Sequence, residues 1–276
     1  MNRLITILII GFKRIREPYY HGFAAQVAFF YMMSLVPLSI LLAQMFGAIF
    51  KETINDSMGW FFETLGHIVG SNLTDILAGL LTYQSAGAAN IVYVFIALWA
   101  ASRGQFALTR IMNHIMSAGK TTGKGYWLER IRSLGTMFLL LLSIVLSVGV
   151  IVYGGALLKL LANGARIWLY LRWPIALALF FLVLSFIYFI LPMKRPRYRD
   201  VIPGAVFAAV GLVAVTWAYS LYVSSVAQYD IIYGTLANLV ALMFWFYFMA
   251  WVLVLGAMFN RLLIETGKSG TAEYYD

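Results

Sequence analysis

Six long apolar segments, at about residues 22–50, 88–112, 133–160, 172–192, 202–226 and 235–262, dominate this chain. Each has the ~20 residues that a helix needs to cross the hydrocarbon of a bilayer. The runs are continuous and lack the alternation that marks barrel strands, so the spanning element is the helix. The chain is 62% apolar and 11% charged, against roughly 45–50% and roughly 25% in a soluble domain. A globule of 276 residues cannot hide that excess, whereas a bilayer absorbs it. The predicted fold is all-α: a six-helix transmembrane domain over 18–264, preceded by an interfacial helix over 1–17 and followed by a tail over 265–276.

The connections alternate in charge. Sixteen of the 20 Lys and Arg fall on one side. They lie in the N-terminal segment (Arg3, Lys13, Arg14, Arg16), between spans two and three (Arg103, Arg110, Lys120, Lys124, Arg130, Arg132), between spans four and five (Lys194, Arg195, Arg197, Arg199) and at the C-terminus (Arg261, Lys268). The opposite side holds Lys51, Lys159, Arg166 and Arg172. The positive-inside bias predicts that both termini face the cytoplasm. The net charge of +9 is then a collar for anionic lipid headgroups, and nucleic acid is not expected as a partner.

Two segments read as amphipathic. In 1–17, Leu4, Ile5, Leu8, Ile9 and Phe12 sit among basic residues, the pattern of a helix lying on an anionic membrane surface. In 51–87, Ile54, Met58, Phe61, Phe62, Leu65, Ile68 and Val69 keep helical spacing, as do Leu73, Ile76, Leu77, Leu80 and Leu81 after the break at Gly70-Ser71-Asn72. Two short helices on the outer membrane face are expected there.

There are no cysteines, and His21, His67 and His114 are far apart. No cofactor or metal is expected. The carboxylates of the basic side (Glu17, Glu129, Asp200, Glu265, Glu273, Asp276) are scattered, so a clustered acid/base set and an enzymatic activity are not expected either. Attention therefore falls on polar groups inside the spans, which are costly in hydrocarbon. The first span has Gln26, Tyr31, Ser34 and Gln44 around Pro37, whose missing N–H predicts a kink. Arg103 ends fifteen uncharged residues, Ala88 to Ser102. It either forks onto a phosphate or carboxylate or snorkels to the headgroups. Gly204, Ala208, Ala214 and Ala218 predict close helix packing in the fifth span. In the sixth, Asn238, Trp245, Met249, Gly256 and Asn260 form one stripe, expected to face the bundle. Trp60, Trp127, Trp168, Trp173, Tyr19, Tyr20 and Tyr170 sit near span ends as an aromatic belt.

Several of these segments resemble one family. Ala28-Phe29-Phe30-Tyr31 with Ser34 and Pro37 looks like its first-helix motif, and Trp99, Ser102 and Asn113 like its second. Pro203-Gly204-Ala205 opens the fifth span as expected. Tyr233-Gly234-Thr235-Leu236, Trp245, Leu255-Gly256-Ala257 and Asn260 look like its closing signature. The chain is similar, over about 18–262, to the YihY/virulence factor BrkB family of bacterial inner-membrane proteins, once labelled ribonuclease BN. The resemblance implies six helices with both ends in the cytoplasm. Two departures stand out: Ala237 where the family often has Gly, and Met258 where it often has an acidic residue.

The expected function is binding or transport of an amphiphilic or anionic solute, a lipid or lipid-linked molecule among them. Tyr31, Ser34, Arg103, Asn113 and Tyr233 are the expected cavity-lining residues. Pro37, Gly204, Gly234, Gly256 and Asn260 are the expected structural ones. A non-transporting scaffold for the envelope or for virulence is the alternative, and the sequence is compatible with a homo-oligomer.

Overall fold

In a computed structural model of the protein, residues 18–49, 88–117, 125–161, 165–193, 196–226 and 230–268 are described. They form six helices: α1 (Pro18–Ile49), α2 (Ala88–Met116), α3 (Tyr126–Leu161), α4 (Ala165–Ile190), α5 (Tyr198–Val226) and α6 (Asp230–Lys268). No strand occurs among the described residues. The expected amphipathic segments 1–17 and 51–87 lie outside the described residues. Residues 265–268, expected as tail, continue α6.

Within the described residues four helices carry a stretch long and apolar enough to cross a membrane: Tyr20–Ser39, Tyr126–Ser147, Tyr198–Tyr222 and Leu239–Thr266. Helix is the form such stretches must take, because lipid offers no partner to an open N–H or C=O. The ends follow local chemistry. Pro18 opens α1, where its missing N–H costs nothing. Glu129 and Asp200 lie in the first turns of α3 and α5, where a negative charge suits the helix dipole. α4 stops at Ile190, two residues before Pro192.

Each helix packs on its neighbours in sequence, and α6 packs back on α1, so the six close into a ring. Contacts of α2 with α6 and of α1 with α3 cross the ring. A large apolar core joins α1, α2, α4, α5 and α6 through residues such as Val27, Leu108, Met112, Tyr188, Val201 and Met258. A smaller one joins Leu41, Leu42, Ala101, Met137, Leu141 and Val145. Large apolar side chains such as Phe29, Phe95, Val210, Trp217 and Phe244 point outward. Water would penalise that surface, and lipid does not.

The closest approach is between α5 and α6. A Cβ on Gly204 would run into the Gly256 carbonyl oxygen and the Asn260 amide, so only glycine fits. Asn260, fully buried, accepts from the Gly204 N–H at 2.6 Å and donates to the Val201 carbonyl at 3.1 Å. The stripe expected on α5 needs correction. Gly204 and Ala208 are buried in the contact, but Ala214 and Ala218 are exposed. The step from 208 to 214 is six residues, about 240° of turn at 3.6 residues per turn, and leaves the packed face. Tyr20, placed in the aromatic belt by position, is buried in the core.

Candidate functional site

The basic end of the bundle is tied together by five hydrogen bonds. Asn113 on α2 donates to Glu129 Oε1 on α3 at 2.6 Å and accepts from the Met193 N–H beyond α4 at 2.6 Å. Arg132 donates to the Pro192 carbonyl at 2.7 Å. Arg261 donates to the Met116 carbonyl at 2.8 Å, closing the end of α2, and to Glu265 at 2.7 Å. Asn113 therefore spends both its donor and its acceptor on neighbouring segments, which is a fastening role.

Tyr31 and Ser34 come together on α1 against Gly104 of α2. A Cβ at Gly104 would meet the Tyr31 ring at 2.6 Å. The Ser34 hydroxyl donates to Phe30 O at 2.6 Å and sits 3.3 Å from both the Ala100 carbonyl and the Gly104 N–H. These two atoms are partners in the α2 ladder, so Ser34 inserts at one rung. α1 remains helical through Pro37. Arg103, the residue before Gly104, points out of the bundle and is exposed. Tyr233 and Gly234 fall in the first turns of α6, where only the backbone is described.

Among the described residues three buried side chains keep unsatisfied polar atoms, Arg130, Gln105 and Trp245, and the first two were missed as candidates. Arg130, in the second turn of α3, is only 2% exposed. Its guanidinium lies 3.9 Å from the centre of the Trp99 ring and 5.4 Å from that of Phe106. It donates one hydrogen bond, from Nη2 to the Trp99 carbonyl at 2.8 Å, and its Nε finds no partner. It forms no ion pair among the described residues, and the nearby Arg103 adds repulsion. Burying a cation without a counter-charge is expensive. Stacking on tryptophan offsets only about 2 kcal/mol of it.

Gln105 on α2 is fully buried, and neither its amide oxygen nor its nitrogen has a partner. Beside it runs a set of buried hydroxyls. Thr109 and Ser133 share a hydrogen bond at 2.8 Å between α2 and α3, and Thr136 lies one turn beyond Ser133. Each hydroxyl also lies within hydrogen-bonding distance of a carbonyl of its own helix, so one proton of the Thr109–Ser133 pair is shared between two acceptors. Their oxygens keep acceptor capacity toward the interior.

The unsatisfied polar groups on α2 and α3 thus gather around a sequence, Trp99 to Asn113, that carries the second-helix motif. Residues 12–273 match the family described as Virulence factor BrkB. The chain belongs to the BrkB family. BrkB relatives include a ribonuclease-like protein, YfkH, of Bacillus subtilis (strain 168), 28% identical over 252 residues, with 89% of this chain and 90% of that protein covered. A UPF0761 membrane protein of Verminephrobacter eiseniae is 26% identical over 94% of this chain, and one of Xanthomonas oryzae pv. oryzae is 25% identical over 84%. The chain spans 63% and 54% of the length of those two. No solved structure matches. This BrkB protein is thus a membrane protein built from apolar helices.

The signals for the missed residues were present. Gln105 is a polar residue inside an apolar run, which is itself a functional indicator. Arg130 follows Tyr126-Trp127, an aromatic pair that opens α3 seven residues earlier than its apolar run predicts.

Proposed function

We propose that this BrkB protein binds an anionic amphiphile, a lipid or lipid-linked molecule, by its phosphate or carboxylate, and moves it between leaflets. The observation that supports this is Arg130: a buried guanidinium, faced by aromatic rings and near a second arginine, with no carboxylate partner among the described residues. An Arg guanidinium held in low dielectric, with an unused N–H, can donate a charge-assisted hydrogen bond to an oxyanion. Trp99 and Phe106 hold it in place and would flank the first carbons of an attached chain. Exposed Arg103 would meet the headgroup first. The unpartnered Gln105 amide supplies a further N–H donor on α2. Among the described residues no acid/base pair accompanies the cation, so the arrangement suits binding and not hydrolysis.

In this reading the chain crosses the cytoplasmic membrane six times with both termini inside. The excess of basic residues at one end supports that orientation. Reporter fusions near 194–199 test it and should report cytoplasmic placement. Transport is tested with purified protein in vesicles that carry a fluorescent phosphatidylglycerol or a fluorescent phosphatidylcholine. The expected result is faster exchange of the anionic label between leaflets, lost in Arg130→Gln. Identical rates with and without protein for both labels would count against movement.

A further inference from the structure

Across the ring from Arg130, α5 and α6 leave a cleft of about 530 Å³ between them. Its wall includes Ala218, Tyr219, Tyr222, Phe244, Trp245 and Phe248. Tyr222, Phe244 and Phe248 are exposed at its mouth, so it opens sideways, where the bilayer lies. Among the described residues no charged side chain lines it. One polar group stands out. The indole N–H of Trp245 is buried and has no acceptor, although the ring itself packs on Tyr219 at 5.6 Å between centroids.

The depth of that N–H follows from the helix contacts. Asn260 is bonded to Val201 and Gly204, so these residues share one level at the basic end. The hydrocarbon is about 30 Å thick and a helix rises about 1.5 Å per residue. Counting about 20 residues away from that level reaches the far boundary near Leu221 on α5 and Val240 on α6. Trp245 lies five residues, or about 7 Å, inside it. With Asn260 taken at the inner edge of the hydrocarbon, the cleft starts at the opposite interface and descends along Phe248 into hydrocarbon.

An occupant must match three features: an apolar chain, entry from the bilayer, and an acceptor just below the interface. An ester-linked lipid meets all three, because the ester carbonyl sits where the chain leaves the interface. We propose that the α5–α6 cleft is a lipid-binding site, in which one acyl chain of an ester-linked lipid lies against Phe244 and Phe248 and its ester carbonyl accepts the Trp245 N–H. The site reads the linkage and the chain, not the headgroup charge. It stands apart from the anion-binding reading of Arg130, and neither depends on the other.

The test uses the full chain purified in mild detergent. It is incubated with equal amounts of a diester phosphatidylcholine and its diether analogue, and retained lipids are counted by native mass spectrometry. A zwitterionic headgroup keeps Arg130 out of the result. The wild-type chain should retain the ester lipid about fivefold over the ether, the worth of one hydrogen bond of about 1 kcal/mol. Trp245→Phe keeps an aromatic wall and should retain both lipids equally. Ala218→Phe fills the cleft from an exposed position and should lose both. Unfolding temperatures near wild type certify that the variants are folded. Equal retention of ester and ether lipid by the wild-type chain, as when a water satisfies the indole, overturns the proposal. So does undiminished retention by Ala218→Phe.

Discussion

The guanidinium of Arg130 rests 3.9 Å from the centre of the Trp99 ring and donates to the backbone carbonyl of that same residue at 2.8 Å. One residue on α2 thus supplies both a π face and an acceptor to a cation on α3. Neither carries a full negative charge. The pair holds the guanidinium in place without neutralising its charge, and no carboxylate pairs with it among the described residues.

That balance predicts how stability responds when the charge is removed. Replacing a buried charge by an apolar side chain of similar volume is often neutral or stabilising. Arg130→Met should therefore unfold in lipid-free detergent at or above the wild-type temperature. Anionic lipid should raise the wild-type value, by about 2.7 kcal/mol at one hundred times Kd, and leave the variant unmoved. A variant several kcal/mol less stable without lipid would make Arg130 a structural residue.

Gln105 gives a second stability test. Its amide is fully buried with both polar atoms unpaired, a cost of about 1–3 kcal/mol. Gln105→Leu should raise stability by a similar amount in a denaturant or thermal titration, and should slow any transport activity. A loss of stability would mean that bound water already satisfies the amide.

Glycines separate into two groups. Gly204→Ala places a methyl on the Gly256 carbonyl and the Asn260 amide, neither of which can swing away freely. The expected cost is about 3 kcal/mol, the upper end of what overpacking typically costs. Gly135→Ala in α3 meets nothing within 4 Å and should be neutral or gain up to about 1 kcal/mol from helix propensity. Unfolding curves of the two variants should move in opposite directions.

Asn113 joins α2, α3 and the segment after α4 through two hydrogen bonds of 2.6 Å. Asn113→Ala leaves the Met193 N–H without that acceptor and frees Glu129. Limited proteolysis should cut the 191–197 segment faster in the variant, with total stability lowered by about 1–3 kcal/mol. Unchanged cleavage would place the fastening elsewhere, with Arg132 and the Pro192 carbonyl.

The helices were legible because hydrocarbon demands long apolar runs, and those runs are visible one residue at a time. Their ends were less so. α3 opens with Tyr126 and continues through Glu129, Arg130 and Arg132. These polar residues end the apolar run but not the helix, so Arg130 reads as part of a loop collar. Arg103 looks interior because apolar residues precede it, yet helical rotation turns it outward beside Arg110. Burial depends on which face meets a neighbour, and an all-round apolar helix does not announce that face. Ala214 and Ala218 mislead for the same reason. Asn113 was singled out from the sequence, but what it joins emerged only once α3 and the segment after α4 were in place.

The most direct test of the account is the affinity of the purified chain for a phosphatidylglycerol and a phosphatidylcholine with identical acyl chains, measured side by side for wild type and Arg130→Gln. A charge-assisted hydrogen bond is worth about 1.5–3 kcal/mol, or roughly tenfold to hundredfold in Kd. The account predicts that wild type prefers the anionic lipid by such a factor and that Arg130→Gln, folded and equally able to bind the zwitterionic lipid, loses the preference. The same preference in both proteins, or none in either, would contradict it.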